Sequence, residues 1–172
     1  MRVKVVEKEV MDPLAEISIV KEDLTPIPHD FENVSLFNNT KPGAKTILTF
    51  LEENLGKRNF IHVNKPAGAP ATHNQLENAS KGEISILALG DCGSCSSWVI
   101  MDAIRLEKMD TPTISICSDK FSGFAQELAK SHGLEDLRIL SIEHPLAGLS
   151  EDEIKIKTQK ILSPLRYILK IP

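Results

Sequence analysis

Asp91-Cys92-Gly93-Ser94-Cys95 sets two thiols three residues apart. Such a pair does nucleophilic or redox chemistry when the first sulfur is ionised and the second can attack whatever bonds to it. The context sharpens that reading. Ile84–Leu89 is the most apolar stretch of the chain and predicts a buried strand, while Val99, Ile100, Ala103, Ile104 and Leu106 recur at helical spacing after the motif. Cys92 is therefore expected at a helix N-terminus. There the partial positive charge and unpaired N–H groups favour a thiolate, bringing a thiol from ~8.5 into the ~3.5–7.5 range of reactive cysteines. Gly93 permits a tight turn, and Ser94, Ser96 and Ser97 can donate to an anion or cap the helix.

Two rival readings exist for the pair. Both thiols are inert packing residues in the first, since free cysteine is often buried. The second is a metal site. Three cysteines cannot complete a Cys₄ set, and the remaining combination is Cys92, Cys95 and Cys117 with His144; no metal ligands are assigned. A thioredoxin fold is disfavoured, because the motif follows the third strand of a regular alternation with two more strand–helix units after it.

The elements that position the motif repeat. Strands are predicted at Val34–Phe37, Phe60–Val63, Ile84–Leu89, Thr113–Cys117 and Arg138–Ile142, with amphipathic helices between them. Gly56 and Gly133 fit helix ends, Ser150 with Glu153 fits a capping box, and Pro164 is expected to kink or end the last helix. The pattern predicts an α/β fold: a three-layer, Rossmann- or flavodoxin-like parallel sheet of about five strands. Residues 1–32 read as an N-terminal extended arm or hairpin, with Val3, Val5, Ile17 and Ile19 alternating, and residues 33–172 as the α/β domain that holds the motif. Every strand then ends along one edge, where such sheets bind ligands.

Five loops meet at that edge, and they carry the remaining candidates. Asp91 can orient the nucleophile, act as a base or simply hold its turn. Cys117 ends the neighbouring strand, facing Cys92 or buried. Asp119 is a natural N-cap for the next helix, and His144 can exchange a proton with Cys92 or a leaving group. Lys41, preferred over Lys65, can neutralise a substrate anion or the thiolate, and Asn39 can hydrogen-bond substrate or its own turn. Asn39, Lys41, Gly93, Ser94, Cys117, Asp119 and His144 form the expected substrate-binding set; Cys92, Cys95 and Asp91 form the catalytic one.

Composition narrows the classes. A net charge of -4 and the lack of a Lys/Arg cluster argue against nucleic acid, and eight aromatic residues (one Trp, one Tyr, six Phe) leave little for base stacking. No run reaches the ~20 apolar residues of a membrane span and no secretory h-region follows Met1, so a cytoplasmic location off the membrane is expected. G-x-G-x-x-G and P-loop motifs are absent, and no cofactor is named.

The chain resembles the UGSC family, named for a motif with selenocysteine or cysteine in first position. The resemblance rests on Gly90-Asp91-Cys92-Gly93-Ser94-Cys95 with Ser97-Trp98 and Asp102-Ala103, on Pro112-Thr113…Ile116-Cys117 with Asp119 and Phe121, and on His144-Pro145-Leu146 with Gly148 and Ser150. Upstream, Asn39-Thr40-Lys41-Pro42-x-Ala44 and Lys65-Pro66 match the family's own loops. It covers residues 33–160 and leaves out the arm. More distantly, the motif region is similar to the selenocysteine region of the B subunits of glycine, sarcosine and betaine reductases. That likeness implies cleavage of a C–N bond by a selenolate, for which Cys92 is a weaker substitute.

The leading expectation is a thiol-dependent enzyme, with Cys92 as nucleophilic or redox thiolate and Cys95 resolving it. It acts on a small substrate at the sheet edge, as a reductase or a C–N or C–S bond-cleaving subunit. The alternatives are a thiol–disulfide carrier for a partner enzyme and a small-molecule or metal-binding module. A redox partner protein and a homodimer joined through the arm are the expected protein contacts.

Overall fold

The computed structural model describes residues 19–171. Five strands and five helices alternate along it: β1 (Asn33–Asn38), α1 (Ala44–Asn54), β2 (Asn59–Asn64), α2 (His73–Ala79), β3 (Ile84–Gly90), α3 (Gly93–Glu107), β4 (Thr113–Ser118), α4 (Asp119–Ser131), β5 (Ile139–Ile142) and α5 (Glu151–Leu169). All strand pairs are parallel, in the order β2-β1-β3-β4-β5. The expected three-layer sheet is present, and its order is the flavodoxin-like one. The chain moves outward from β1 to β2, returns past β1 to β3, and then continues outward to β5. The reversal falls between β1 and β3.

Helices cover both faces, which is why β3 and β4 are buried along their whole length and read as nearly unbroken apolar runs. On one face α1 and α5 pack Ile47, Leu51, Ile154, Leu162 and Leu165 over Val34, Leu36, Ile86 and Ile116. On the other, α2, α3 and α4 pack Leu76, Val99, Ile100, Ala103, Ala125 and Ala129 over Phe37, Leu87 and Cys117.

Local signals account for several boundaries. Gly56 and Gly133 follow the ends of α1 and α4 at φ 81° and 84°, a left-handed conformation that suits a residue without Cβ. Ser150 and Glu153 form the anticipated capping box. Thr72 and Gln75 form a second one at α2, which fixes the start of that short helix.

Two expectations require correction. Pro164 does not end α5: the helix runs on to Leu169. Proline removes one internal hydrogen bond, but Leu165 and Leu169 lie fully buried beyond it, and their burial outweighs the local cost. Asp119 is not the N-cap of α4. Ser118 holds that position, and Asp119 is the first helical residue.

The expected arm is described only from residue 19 onward. Residues 19–28 form no strand, and Ile19 is half exposed; Val3, Val5 and Ile17 lie outside the described residues. The segment is a strap on the opposite edge of the sheet. Glu22 N–H donates to the Gly133 carbonyl at 2.9 Å, and Lys21 pairs with Glu135 and Asp136 at 2.6 and 2.9 Å. Buried Glu107 accepts from the Thr25 and Thr113 N–H groups at 2.9 and 2.7 Å and from Arg138 at 3.0 Å, while Arg138 also donates to the Thr25 carbonyl at 2.6 Å. A buried carboxylate needs such partners, and here they come from three separate parts of the chain.

Candidate functional site

The motif stands where β3 gives way to α3, beside the strand-order reversal. Cys92 is itself the N-cap of α3, in extended conformation, and its sulfur accepts the Cys95 N–H at 3.3 Å. Thiol sulfur thus takes the place usually filled by a serine or aspartate oxygen, and a negative sulfur there meets the positive end of the helix. The serines do not cap: Ser97 Oγ donates to the Gly93 carbonyl at 2.9 Å, and Ser94 Oγ lies 3.7 Å from the Cys92 sulfur. Gly93 and Ser94 are exposed, Cys92 is half-buried and Cys95 is buried.

The sulfurs of Cys92 and Cys95 are in disulfide contact, with Cα atoms 5.4 Å apart. The Cys95 sulfur also accepts the Asp91 N–H at 3.2 Å and lies 3.2 Å from the Cys92 carbonyl oxygen. Cys117 is a free, buried thiol behind this turn, and burial pushes it up to about 12. It stays protonated at neutral pH. A Cβ at Gly90 would stand 2.6 Å from the Cys117 sulfur and 2.8 Å from Ser96 Oγ, so only glycine allows α3 to start this close to β4.

Asp91 is buried and turned toward the loop after β5. One carboxylate oxygen lies 2.8 Å from His144 Nδ1, and the other accepts the Leu146 and Ala147 N–H groups at 3.4 and 3.3 Å. Asp119 accepts the His144 backbone N–H at 3.2 Å, Ser118 Oγ lies 3.4 Å from Nδ1, and Phe121 meets the imidazole edge-on with centroids 6.0 Å apart. Asp91, Asp119 and His144 are therefore brought together, and Asp91 joins them to the cysteine turn through its own backbone N–H on the Cys95 sulfur.

Asn39 and Lys41 sit differently. Asn39 is buried, and its amide spans Leu89, donating to the carbonyl at 2.9 Å and accepting the N–H at 2.8 Å. β3 shifts register between Ala88 and Gly90, and Asn39 satisfies the backbone that leaves the ladder there. Lys41 donates its N–H to the same Asn39 oxygen at 3.2 Å, and its ammonium makes no ion pair among the described residues. Lys65 is buried on Asp102 at 2.9 Å and donates to the Ala69 carbonyl at 2.6 Å.

Sequence reasoning did not assign Ser118, the Leu146 and Ala147 amides or Asp102 to these contacts. Asp102 and Ser118 bind partners 37 and 26 residues away, and no local pattern signals such pairs. Among the described residues no cluster of three or more His, Cys, Asp or Glu side chains could hold a metal ion, and no helix is long and apolar enough to cross a membrane.

The model of the UGSC family matches residues 9–171, and the chain belongs to that family. The match extends beyond the 33–160 expected and takes in most of the arm. No match is found among the curated proteins.

Proposed function

We propose that this member of the UGSC family is a thiol-dependent enzyme in which Cys92 is the attacking sulfur and Cys95 the resolving one. The observation that carries the reading is the placement of the Cys92 sulfur at the N-cap of α3, half-open to solvent and in contact with Cys95. A helix N-terminus stabilises the thiolate, and a second thiol one turn in releases whatever becomes bonded to the first. The substrate is a small molecule at the sheet edge. Reduction or C–N or C–S cleavage are the reactions such a pair serves, in a cytoplasmic protein.

The test is iodoacetamide alkylation of the reduced protein, followed residue by residue by mass spectrometry across pH, with Cys95→Ser beside wild type. Cys92 is expected to react first, with a midpoint below the ~8.5 of an unperturbed thiol. Titration near that value, with no preference for Cys92, overturns the reading.

The sulfur–sulfur contact also suits a carrier that shuttles a disulfide to a partner protein. A reversible Cys92–Cys95 disulfide with no turnover of any added small molecule would favour that second reading.

A further inference from the structure

We propose that His144 is the proton acceptor and donor for the Cys92 sulfur, and that Asp91 is the positioning residue that holds its imidazole in the required tautomer. The inference rests on the thiolate reading above and deepens it. Asp91 was expected to serve the sulfur as base or orienter; the geometry points to a different division of labour.

An ionised carboxylate can only accept hydrogen bonds, so the 2.8 Å contact from Asp91 to Nδ1 places the proton on Nδ1. The lone pair is then on Nε2, which has no hydrogen-bond partner among the described residues, and the side chain is 33% exposed at the rim. The Asp91 side chain, 1% exposed, cannot turn away to meet solvent, because the Leu146 and Ala147 amides hold its second oxygen. Phe121 restricts the ring from the α4 side. The same Asp91 donates its backbone N–H to the Cys95 sulfur and is bonded to Cys92. One residue thus links the imidazole to both thiols.

The step conserves atoms and charge. Nε2 takes the Cys92 Sγ proton, giving thiolate and imidazolium. The thiolate electron pair forms a bond to the electrophilic atom of the substrate, the leaving group departs with the electrons of its own bond, and the imidazolium returns the proton to it. No external oxidant or reductant enters.

The charged groups around the imidazole are Asp91 from the β3–α3 turn and Asp119 from α4. Glu143 lies next in sequence, and Lys157 from α5 donates to the Pro145 and Glu143 carbonyls at 3.0 and 3.2 Å. Asp119 binds the His144 backbone, not its ring. Glu143 pairs with Lys157 and Lys160 and belongs to no expected site set, and Glu143→Gln is therefore the control.

The experiment follows alkylation of Cys92 by iodoacetamide in the full, dithiothreitol-reduced chain from mildly acid to mildly alkaline pH. Wild type is compared with His144→Gln, Asp91→Asn and Glu143→Gln. His144→Gln is expected to lower the near-neutral rate about tenfold or more and to move the midpoint toward the ~8.5 of a free thiol. Asp91→Asn gives part of the same shift, and Glu143→Gln gives little. Nitrogen-15 shifts of His144 are expected to show the proton on Nδ1 in wild type and a gain of the Nε2-protonated form in Asp91→Asn, a change independent of any effect on folding. An unchanged alkylation profile in His144→Gln, or a wild-type imidazole protonated on Nε2, overturns the proposal while a low Cys92 midpoint keeps the thiolate reading. A wild-type Cys92 that titrates as a free thiol removes both.

Discussion

Lys65 Nζ lies 2.9 Å from Asp102 Oδ2, with the two side chains 2% and 0% exposed, and the pair ties the loop after β2 to the middle of α3. Asp102 also accepts the Ala71 N–H at 2.9 Å, and Arg105 closes the arrangement by donating to the Ala71 carbonyl at 2.7 Å. The loop that runs toward α2 is therefore pinned to the helix that begins at Cys92.

Removing one member of such a pair leaves a charge buried alone. Lys65→Met is expected to cost about 3–5 kcal/mol. Lys65→Met combined with Asp102→Asn should cost less than the sum of the single changes, since asparagine still accepts from Ala71 N–H. Urea denaturation of the four proteins measures the coupling; additive losses would show that the pair does not interact.

Asn39 clasps both polar groups of Leu89, and Asn39→Ala leaves the two without their partner. A loss of about 2–4 kcal/mol is expected from two buried backbone groups. Asn39→Asp keeps the acceptor but sets a carboxylate against the Leu89 carbonyl, so its deficit should shrink as the medium is acidified and the carboxyl regains a donor. A midpoint within error of wild type for Asn39→Ala would mean that water replaces the amide.

That clasp also shows where sequence reading stops. β3, β4 and the helices between them are legible because burial on both faces leaves unbroken apolar runs, and Gly56, Gly133 and Ser150 with Glu153 mark element ends through local backbone chemistry. Cys92 and Cys95 are legible for the same local reason. Asn39 and Asp91 have the right residue types for a site, yet their roles are set by partners 50 and 53 residues away. Pro164 misleads in the opposite direction, because a local rule yields to burial of Leu165 and Leu169.

Burial of Cys117 gives a signed pH dependence. Its thiol stands at 9.0 in an ordinary setting and at about 12 here, so the folded state favours the protonated form. The contribution is complete below pH 9 and is lost as pH rises from 9 toward 12, because the unfolded chain ionises first. Cys117→Ala should lack that part of the decline, whatever its offset at neutral pH. Chemical denaturation in mildly alkaline buffers reads the difference in slope; parallel slopes would contradict the burial effect.

Gly90 separates β4 from the first turn of α3. Gly90→Ala places a methyl group against the Cys117 sulfur, Ser96 Oγ and, at 3.1 Å, the Ser96 Cα. Overpacking of this kind costs about 1–3 kcal/mol. Adding Cys117→Ala should recover only part of it, since the backbone of α3 cannot retreat like a side chain. Thermal melts of the single and double variants test this, and full recovery would show that the sulfur alone sets the spacing.

The strap has a consequence for the order in which the molecule is made. Thr25 is seated by Arg138, 113 residues later in the chain. At the ~5–20 residues per second of synthesis, the early segment waits roughly 6–23 s before its partner exists. The sheet and its cysteine turn can assemble from the residues between them in that interval. A segment made before the sheet thus finds its place after it.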